Sequence, residues 1–445
     1  MKRAFTIEIE KMVYGGKGMG RAEGKVVFVP FTAPGERVEV EVVNEKKNYA
    51  EASLKRIERP SSRRRNPFCP LYAECGGCQY QHFAYEEQLK LKEEAVREAL
   101  HRLSRKASFE ILPIIPSPMD RGYRIRAQMK AGVRAGKRIL GFYAWRTHQV
   151  VAVQECPLLH PLANRILSGL NRYLQGRKEF PLNGADLQVS PDEGQGVVSL
   201  RVEGPWDIID GMQEIGEKVP EIKGVVVEGK QGASWGEPRL WYKGPDMGGK
   251  RLLLQAGGKS FVQVNPDQNR NLIGKVLEWA DLKKEEKGVD LFCGSGNLTL
   301  PLALRGGKVW GVDQDIEAVD SSRENARKNL IGNCTFWAGT AEEGIGRIKR
   351  ETGAVDLVVL DPPRVGAHSA LIPLVSLQPR RILYVSCEPP TLARDLAHLV
   401  SLGYNLKRIQ PLDMFPQTYH IEVIAELTAV SDQRSAFSRD RRTDR

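Results

Sequence analysis

The sequence contains no long apolar run and no secretion signal. In a chain of 445 residues, 41% of them hydrophobic, no stretch approaches the roughly 18 consecutive apolar residues that a membrane-spanning helix requires. The opening residues, MKRAFTIEIEKMVYGG, alternate apolar with charged positions, whereas a signal peptide has a continuous apolar centre. We therefore expect a cytoplasmic protein with no membrane partner, built from roughly two to four domains.

Cysteine is scarce, and its count is odd. The sequence has seven cysteines, and because no export signal precedes them, disulfide bonds account for them poorly. Metal ligation or catalysis is the better interpretation of these thiols.

Three of the cysteines lie within ten residues. The run CPLYAECGGC contains Cys69, Cys75 and Cys78, and its adjacent glycines let the backbone wrap around a compact inorganic centre. A fourth ligand is required, and Cys156 is the natural candidate, because two of the remaining cysteines belong to motifs with chemistry of their own and the third lies in a strand-like run. Four thiolates hold either zinc or a 4Fe-4S cluster. Zinc sites usually pair two short cysteine loops, so three ligands from one loop favour iron and sulfur.

Positive charge exceeds negative charge, and it is unevenly distributed. The formal net charge is +11 and the sequence pI is near 9.2. Residues 121–146 carry eight basic residues and no acid. They also include four aromatic residues: Tyr123, Phe142, Tyr143 and Trp145. Basic side chains bind phosphate groups and aromatic rings stack on unstacked bases, so this mixture indicates an RNA partner. A solvated basic surface is the alternative interpretation, because it shows the same pattern.

The patterns along the chain predict a multidomain protein. Residues 1–58 alternate apolar and polar positions, which is typical of a small all-β barrel. The glycine-rich piece YGGKGMGR leads into another strand, so it predicts a β-turn and not a phosphate loop. Residues 59–250 predict a central α+β domain, and residues 251–430 alternate strands and helices as in a doubly wound parallel sheet. Residues 431–445 lack apolar periodicity and predict a disordered basic tail.

The run GVDLFCGSGNLTLPLA predicts a cofactor site. It is an apolar strand ending in a glycine-rich turn that opens a helix, the place where open parallel sheets bind cofactors. Gly294 and Gly296 allow close approach of a ligand, and Asp313 ends the next strand, where its carboxylate can accept hydrogen bonds from ribose hydroxyls. Together with Asp290, these residues look like the S-adenosylmethionine site of a class I methyltransferase.

The strand VDLVVLDPPR delivers Asp361 and two prolines to the mouth of the same pocket. Methyltransferases that act on exocyclic amines commonly have an aromatic residue after the prolines, and Arg364 takes that position here. Amine methylation is therefore disfavoured.

The run ILYVSCEPPTLARDL predicts a nucleophile. Cys387 follows a sheet strand and should face the same pocket. Carbon 5 of uracil is a poor nucleophile, but addition of a thiolate to carbon 6 gives an enolate whose carbon 5 can attack the donor methyl. Arg364 or Arg394 are candidates for stabilising the thiolate. An inert core thiol is the alternative interpretation.

The run DMFPQTYHIEVIAEL offers the base that such a reaction needs. After methyl transfer carbon 5 still bears its proton, which must be removed before the cysteine can leave. Glu422 begins the last strand pattern in an apolar setting that would raise its pKa. Asp413 and His420 are weaker candidates, since either suits a turn or packing position equally well.

These motifs resemble, in order and spacing, those of the RNA 5-methyluridine methyltransferase family. The runs are DLFCGSGNLTLPLA, VVLDPPRVG, SCEPPTLARDL and DMFPQTYHIE. The first 58 residues resemble the TRAM domain, an OB-like RNA-binding barrel, and TRAM plus CX5CGGC is similar to the ribosomal-RNA branch, which acts on 23S rRNA. The resemblance implies an enzyme that methylates carbon 5 of a uridine, with tRNA as an alternative substrate, and we expect the protein to be a monomer. A cluster-bearing RNA-binding protein without catalysis is the second alternative.

The resemblance also implies roles for individual residues. Cys387 would be the nucleophile and Glu422 the proton acceptor. The cluster ligands would be Cys69, Cys75, Cys78 and Cys156. The family motif FxQxN matches Phe261, Gln263 and Asn265, so Gln263 would line the cofactor and uracil pocket. The remaining family binding positions match Phe292, Asn297, Asp313 and Asp361.

The sequence departs from the family at three positions. Asp313 replaces a usual Glu, which shortens the reach to the ribose, and Ile125 replaces the Asn of a YRN motif. Glu388 stands where the family usually has Asn, directly after Cys387. A carboxylate there would oppose thiolate formation unless it points away or is neutralised. A cytosine-5 methyltransferase would typically carry its cysteine within the proline motif or just after a different strand, and the absence of a cysteine from DPPR argues against that activity.

Overall fold

The computed structural model describes residues 4–105, 107–175, 177, 180–203, 208–229, 232–249, 251–257 and 261–430. The predicted disordered tail, residues 431–445, lies outside these ranges. Within them, no helix is both long enough and apolar enough to cross a bilayer.

The N-terminal segment is a closed five-stranded barrel, as the alternating pattern predicted. Its strands are β1 (Ala4–Val13), β2 (Lys17–Ala22), β3 (Lys25–Pro30), β4 (Arg37–Glu45) and β5 (Tyr49–Arg59), in the order β1-β2-β3-β5-β4. Inward-facing Ile9, Val29 and Val38 are almost completely buried. The turn between β1 and β2 needs positive φ at Gly15 and Gly16, so the first three residues of YGGKGMGR form the hairpin turn and the other five belong to β2.

The central segment begins with α1 (Tyr85–Ser104) and β6 (Glu110–Ile111) and continues as a mixed sheet. Its strands are β7 (Arg126–Arg134), β8 (Lys137–Tyr143), β9 (Val150–Ala152), β10 (Leu182–Ser190), β11 (Gln195–Val202), β12 (Ile222–Glu228) and β13 (Ala233–Gly236). Among the described residues they run in the order β13-β12-β11-β10-β7-β8-β9. Helices α2 (Pro161–Leu174) and α3 (Ile208–Lys218) share their apolar faces with this sheet in one core.

The C-terminal segment is the doubly wound α/β domain. A hairpin, β14 (Arg239–Asp246) and β15 (Arg251–Gly257), precedes it. The helices are α4 (Pro266–Ala280), α5 (Thr299–Ala303), α6 (Ile316–Lys328), α7 (Ala341–Thr352), α8 (His368–Val375) and α9 (Pro389–Ser401). The strands are β16 (Gly288–Leu291), β17 (Val309–Asp313), β18 (Cys334–Ala338), β19 (Leu357–Leu360), β20 (Arg381–Ser386), β21 (Tyr404–Leu412) and β22 (Glu422–Ala429).

The strand order of the C-terminal sheet decides which residues meet. In the described chain the order is β18-β17-β16-β19-β20-β22-β21-β6. Strands β16 to β20 are parallel, so their carboxyl ends share one edge. Strand β22 is antiparallel to β20, with Ser386 opposite Val423. The first residue of β22, Glu422, therefore lies at the same edge as Cys387, which follows β20.

Helix α1 and strand β6 pack on the C-terminal domain, although they lie in the segment predicted as central. Strand β6 adds to the sheet edge beside β21, and α1 packs against α9. A fully buried ion pair, Lys92 Nζ to Asp413 Oδ1 at 2.5 Å, joins α1 to the chain after β21. Breaking one partner would leave an unpaired buried charge, which typically costs about 3–5 kcal/mol, so this pair anchors the two segments together.

Candidate active site

A strained turn after β16 shapes the cofactor site. Phe292, Gly294 and Gly296 all have positive φ, at 64°, 52° and 90°. The Gly294 N–H donates to Asp313 Oδ2 at 2.9 Å, and the Asp315 N–H donates to the other Asp313 oxygen at 2.9 Å. Asp313 therefore ties the ends of β16 and β17 together, and this holds the glycine turn in its unusual conformation.

Four of the five predicted cofactor residues line one cleft beside this turn: Gln263, Phe292, Asn297 and Asp361. Asp313 is not among the lining residues, and it adjoins the cleft through its bond to Gly294. The cleft also contains Tyr242 of the β14–β15 hairpin and Asn269 of α4, which carry no motif. Asn269 and Asn297 exchange two amide hydrogen bonds of 2.9 and 3.0 Å, which orients both side chains.

Asp290 lies behind the turn and not in the cleft. Its Oδ2 accepts a 2.6 Å hydrogen bond from Thr299 Oγ1 at the start of α5. Burial raises its pKa to about 7, and the Thr299 bond opposes the rise. We interpret Asp290 as a residue that fastens the helix after the glycine turn.

Cys387 lies at the sheet edge with two carboxylates and one guanidinium nearby. Burial raises the pKa of its half-buried thiol to about 12, and Glu422 and Asp361 add to the rise. Arg364 opposes it, both by its charge and by a side-chain hydrogen bond to the sulfur. The thiol also lies just before the N-terminus of α9, but the first two residues of this helix are prolines, so they offer no backbone N–H to the sulfur.

Glu422 is buried beside the same thiol. Only 3% of it is exposed, and among the described residues its Oε1 has no hydrogen-bond partner. Burial raises its pKa well above the ordinary value; Asp361 raises it further and Arg364 lowers it. Burial likewise raises the pKa of Asp361 to about 7. Such a carboxylate accepts a proton more readily than one in water.

The two weaker candidates for the base, Asp413 and His420, differ from Glu422 in their surroundings. Asp413 is held in the buried ion pair with Lys92. Burial, with Arg364 nearby, lowers the pKa of His420 to about 3, so its imidazole stays neutral. Arg394 bonds Asp395 and the carbonyl of Val365, so it supports the loop after β19 while Arg364 reaches the thiol.

The segment before Glu422 is fixed by Gln417, which no sequence signal singled out. Gln417 has a φ of 71°, and its carbonyl accepts hydrogen bonds from the N–H groups of Gln79 and Tyr80 at 3.1 and 3.0 Å. Its side chain bonds Gln88 of α1 at 2.9 Å and Asp120 at 3.1 Å. The loop that carries Cys78 is thus bonded directly to the chain that leads into β22, which begins with Glu422.

The structure brings the predicted cluster cysteines together. The thiols of Cys75 and Cys78 both interact electrostatically with those of Cys69 and Cys156. In the described part of the chain, no three His, Cys, Asp or Glu side chains converge closely enough to hold one metal ion. In a four-cysteine cluster each thiolate binds a different iron atom, so the sulfurs need not converge on one point.

Hydrogen-bond donors also face these sulfurs. The Gly77 N–H donates to Cys75 Sγ at 3.5 Å, and the Gln81 side chain bonds the sulfur of Cys78. The backbone N–H groups of Leu158 and Leu159 lower the pKa of the Cys156 thiol. Burial raises the pKa of all three thiols, and these donors lower it. Donors to sulfur stabilise thiolates, the form that ligates iron.

A doubly wound sheet with a glycine turn and a cleft at its strand ends is the architecture of α/β domains that bind nucleotide cofactors, a class that includes the class I methyltransferases. A solved structure agrees over nearly the whole chain. The Pyrococcus abyssi tRNA (uracil-54, C5)-methyltransferase, in complex with S-adenosyl-L-homocysteine, is 25% identical with a TM-score of 0.72. The similarity covers 95% of this chain and 100% of that one.

Sequence comparison identifies the family. Residues 245–429 match the tRNA (uracil-5-)-methyltransferase model, and residues 3–55 match the TRAM domain. An RNA methyltransferase of Aquifex aeolicus is 37% identical, covering 96% of this chain and 98% of its own. One from Thermosynechococcus vestitus is 36% identical, covering 96% and 99%. This chain belongs to the TRAM-containing RNA (uracil-5-)-methyltransferase family, and it is an S-adenosylmethionine-dependent enzyme.

Proposed function

We propose that the protein methylates uracil through a covalent bond to Cys387. This proposal rests on the proximity of three side chains, Cys387, Glu422 and Arg364. They lie beside the cleft that Gln263 and Asp361 line. An electrophilic methyl group bound in the cleft would lie next to a thiol and a buried base. The three side chains have the chemistry that carbon-5 alkylation of a pyrimidine requires.

The proposed reaction begins when the Cys387 thiolate adds to carbon 6 of uracil and forms a carbon–sulfur bond. The electron pair moves to carbon 5, which attacks the methyl group of S-adenosylmethionine and releases S-adenosylhomocysteine. Glu422 then removes the proton from carbon 5. The carbon–sulfur bond breaks, the double bond re-forms, and the thiolate leaves. Arg364 supports the first and last steps because its charge and hydrogen bond stabilise the thiolate.

For the RNA substrate we propose 23S rRNA. The support is the combination of a TRAM barrel with the CX5CGGC cysteine motif. Transfer RNA is the second candidate, because the similar Pyrococcus abyssi enzyme is a tRNA (uracil-54, C5)-methyltransferase. Unmodified 23S rRNA and bulk tRNA are incubated separately with the enzyme and labelled donor, and methylated sites are then mapped. Label in 23S rRNA alone supports the proposal, and label in tRNA alone contradicts it.

We further propose that Cys69, Cys75, Cys78 and Cys156 hold a 4Fe-4S cluster. Methyl transfer needs no electron, so the cluster would serve to fold the central segment and shape an RNA-binding surface. Anaerobically purified protein is expected to be brown, with about four iron atoms per chain. Cys75→Ser should lose iron and then RNA affinity, whereas Cys334→Ser, on the far strand β18, should keep both. Stoichiometric zinc without iron would disprove the cluster.

The basic stretch gives a separate prediction about RNA affinity. Arg134 and Lys137 are exposed at the β7–β8 tip, whereas Arg126 and Arg146 face acidic partners. Replacing both tip residues with alanine should reduce the slope of log affinity against log salt by roughly 1.4–1.8. The matched control is Lys349→Ala with Arg350→Ala, exposed at the end of α7. An unchanged slope in the tip variant would assign these charges to ordinary surface.

A further inference from the structure

The hairpin turn of the barrel reaches the catalytic loop. Tyr14, directly after β1, donates its hydroxyl to Glu388 Oε2 at 3.0 Å and lies 3.4 Å from the carbonyl oxygen of Cys387. Its ring meets that of Tyr419 edge to face, with centroids 5.4 Å apart. A Cβ added to Gly16 would lie 3.2 Å from the same Tyr419 ring. The turn is therefore docked against the segments that carry the proposed nucleophile and base.

Glu388 directly follows Cys387 in the sequence, so its carboxylate is the acidic group nearest to the proposed nucleophile along the chain. It is the N-cap of α9, yet its side chain makes no capping bond to the helix and instead accepts from Tyr14. The charged groups with the largest influence on the Cys387 thiol are Glu422, Asp361 and Arg364, and Glu388 is not among them. A third carboxylate turned toward this sulfur would disfavour the thiolate.

We infer that Tyr14 is a positioning residue whose hydroxyl holds the Glu388 carboxylate away from the Cys387 sulfur. This inference rests on the proposed role of Cys387 as nucleophile. Burial, with Glu388 close by, raises the pKa of the Tyr14 hydroxyl, so the phenol remains a donor throughout the range in which the enzyme acts. The N-terminal barrel thus contributes to the chemistry through the Tyr14–Glu388 hydrogen bond, in addition to any contact with RNA.

The test compares Tyr14→Phe, Glu388→Gln and the double variant. The rate of iodoacetamide alkylation of the Cys387 peptide is followed against pH by mass spectrometry, and methyl transfer is measured in parallel. In Tyr14→Phe the freed Glu388 carboxylate should raise the pH at which alkylation of Cys387 is half-maximal. It should also slow methyl transfer at neutral pH by about three- to tenfold, where tenfold corresponds to a shift of one unit in the pKa of the thiol. In the Glu388→Gln background, removal of the Tyr14 hydroxyl should change neither quantity. Tyr49→Phe, on barrel strand β5, is the matched control and should resemble the parent.

Three outcomes are informative. An unchanged alkylation midpoint in Tyr14→Phe would overturn the inference. A shift that persists in the double variant would also overturn it, because the effect would then not pass through the Glu388 charge. A shifted midpoint with unchanged methyl transfer would support the positioning role and contradict Cys387 as nucleophile.

Discussion

Cys387→Ala is expected to bind RNA and S-adenosylmethionine but to lose methyl transfer by at least about a thousandfold, as when other covalent nucleophiles are removed. Without the sulfur, no bond forms at carbon 6, and carbon 5 never gains the enolate character it needs to attack the methyl group. Incorporation of labelled methyl groups into RNA measures the loss. Donor titration by calorimetry shows whether the cleft, whose lining does not include Cys387, is intact.

The matched control for this variant is Cys293→Ala. Cys293 is buried beside the same cofactor cleft, but burial raises the pKa of its thiol well above the ordinary value, with Asp290 and Asp313 adding to the rise. The Cys293→Ala variant should keep substantial methyl-transfer activity, because a buried thiol of this kind is a packing residue. Retained transfer in Cys387→Ala would contradict covalent catalysis by this residue.

Glu422→Gln is expected to transfer one methyl group and then stop. The amide keeps the shape of the buried side chain but accepts no proton, so carbon 5 keeps its hydrogen and the sulfur cannot leave. Turnover should fall by about 10²–10⁴-fold, the usual contribution of a general base. Denaturing electrophoresis should show a protein band shifted by attached RNA and labelled from the donor methyl.

The pH dependence of the parent enzyme provides a check on the same step. Burial raises the pKa of Glu422, so the ionised base becomes more abundant as the pH rises through that raised value. Elimination should therefore speed up with pH over this range, and the dependence should disappear in Glu422→Gln. His420→Gln serves as the comparison, and it should not trap an adduct. A Glu422→Gln enzyme that turns over without trapped RNA would show that another group is the base.

The residues that gather at one edge of the C-terminal sheet could be predicted from the sequence, because the carboxyl ends of parallel strands lie at the same edge. The glycine turn after β16, Asp361 after β19 and Cys387 after β20 each follow a short apolar strand. Strand pairing then places them together without any contact that had to be predicted individually. The antiparallel direction of β22 places Glu422 in the same group.

Contacts between distant segments could not be predicted in this way. The Tyr14–Glu388 bond joins residues 374 positions apart, and the Gln88–Gln417 bond joins residues 329 positions apart. Neither residue pair has a local pattern, since such pairs depend on how the domains pack. The position of β6 beside β21 was missed for the same reason, because a two-residue strand has no periodicity of its own.

The direct test of the covalent mechanism is mass spectrometry of the adduct trapped by Glu422→Gln. The variant is incubated with RNA and a donor whose methyl group carries deuterium, and the complex is digested with trypsin and nuclease. We predict that the peptide containing Cys387 carries one uridine nucleotide with one deuterated methyl group, and that the six other cysteine positions carry none. An unmodified Cys387 peptide, with deuterium released in free 5-methyluridine, would contradict the mechanism.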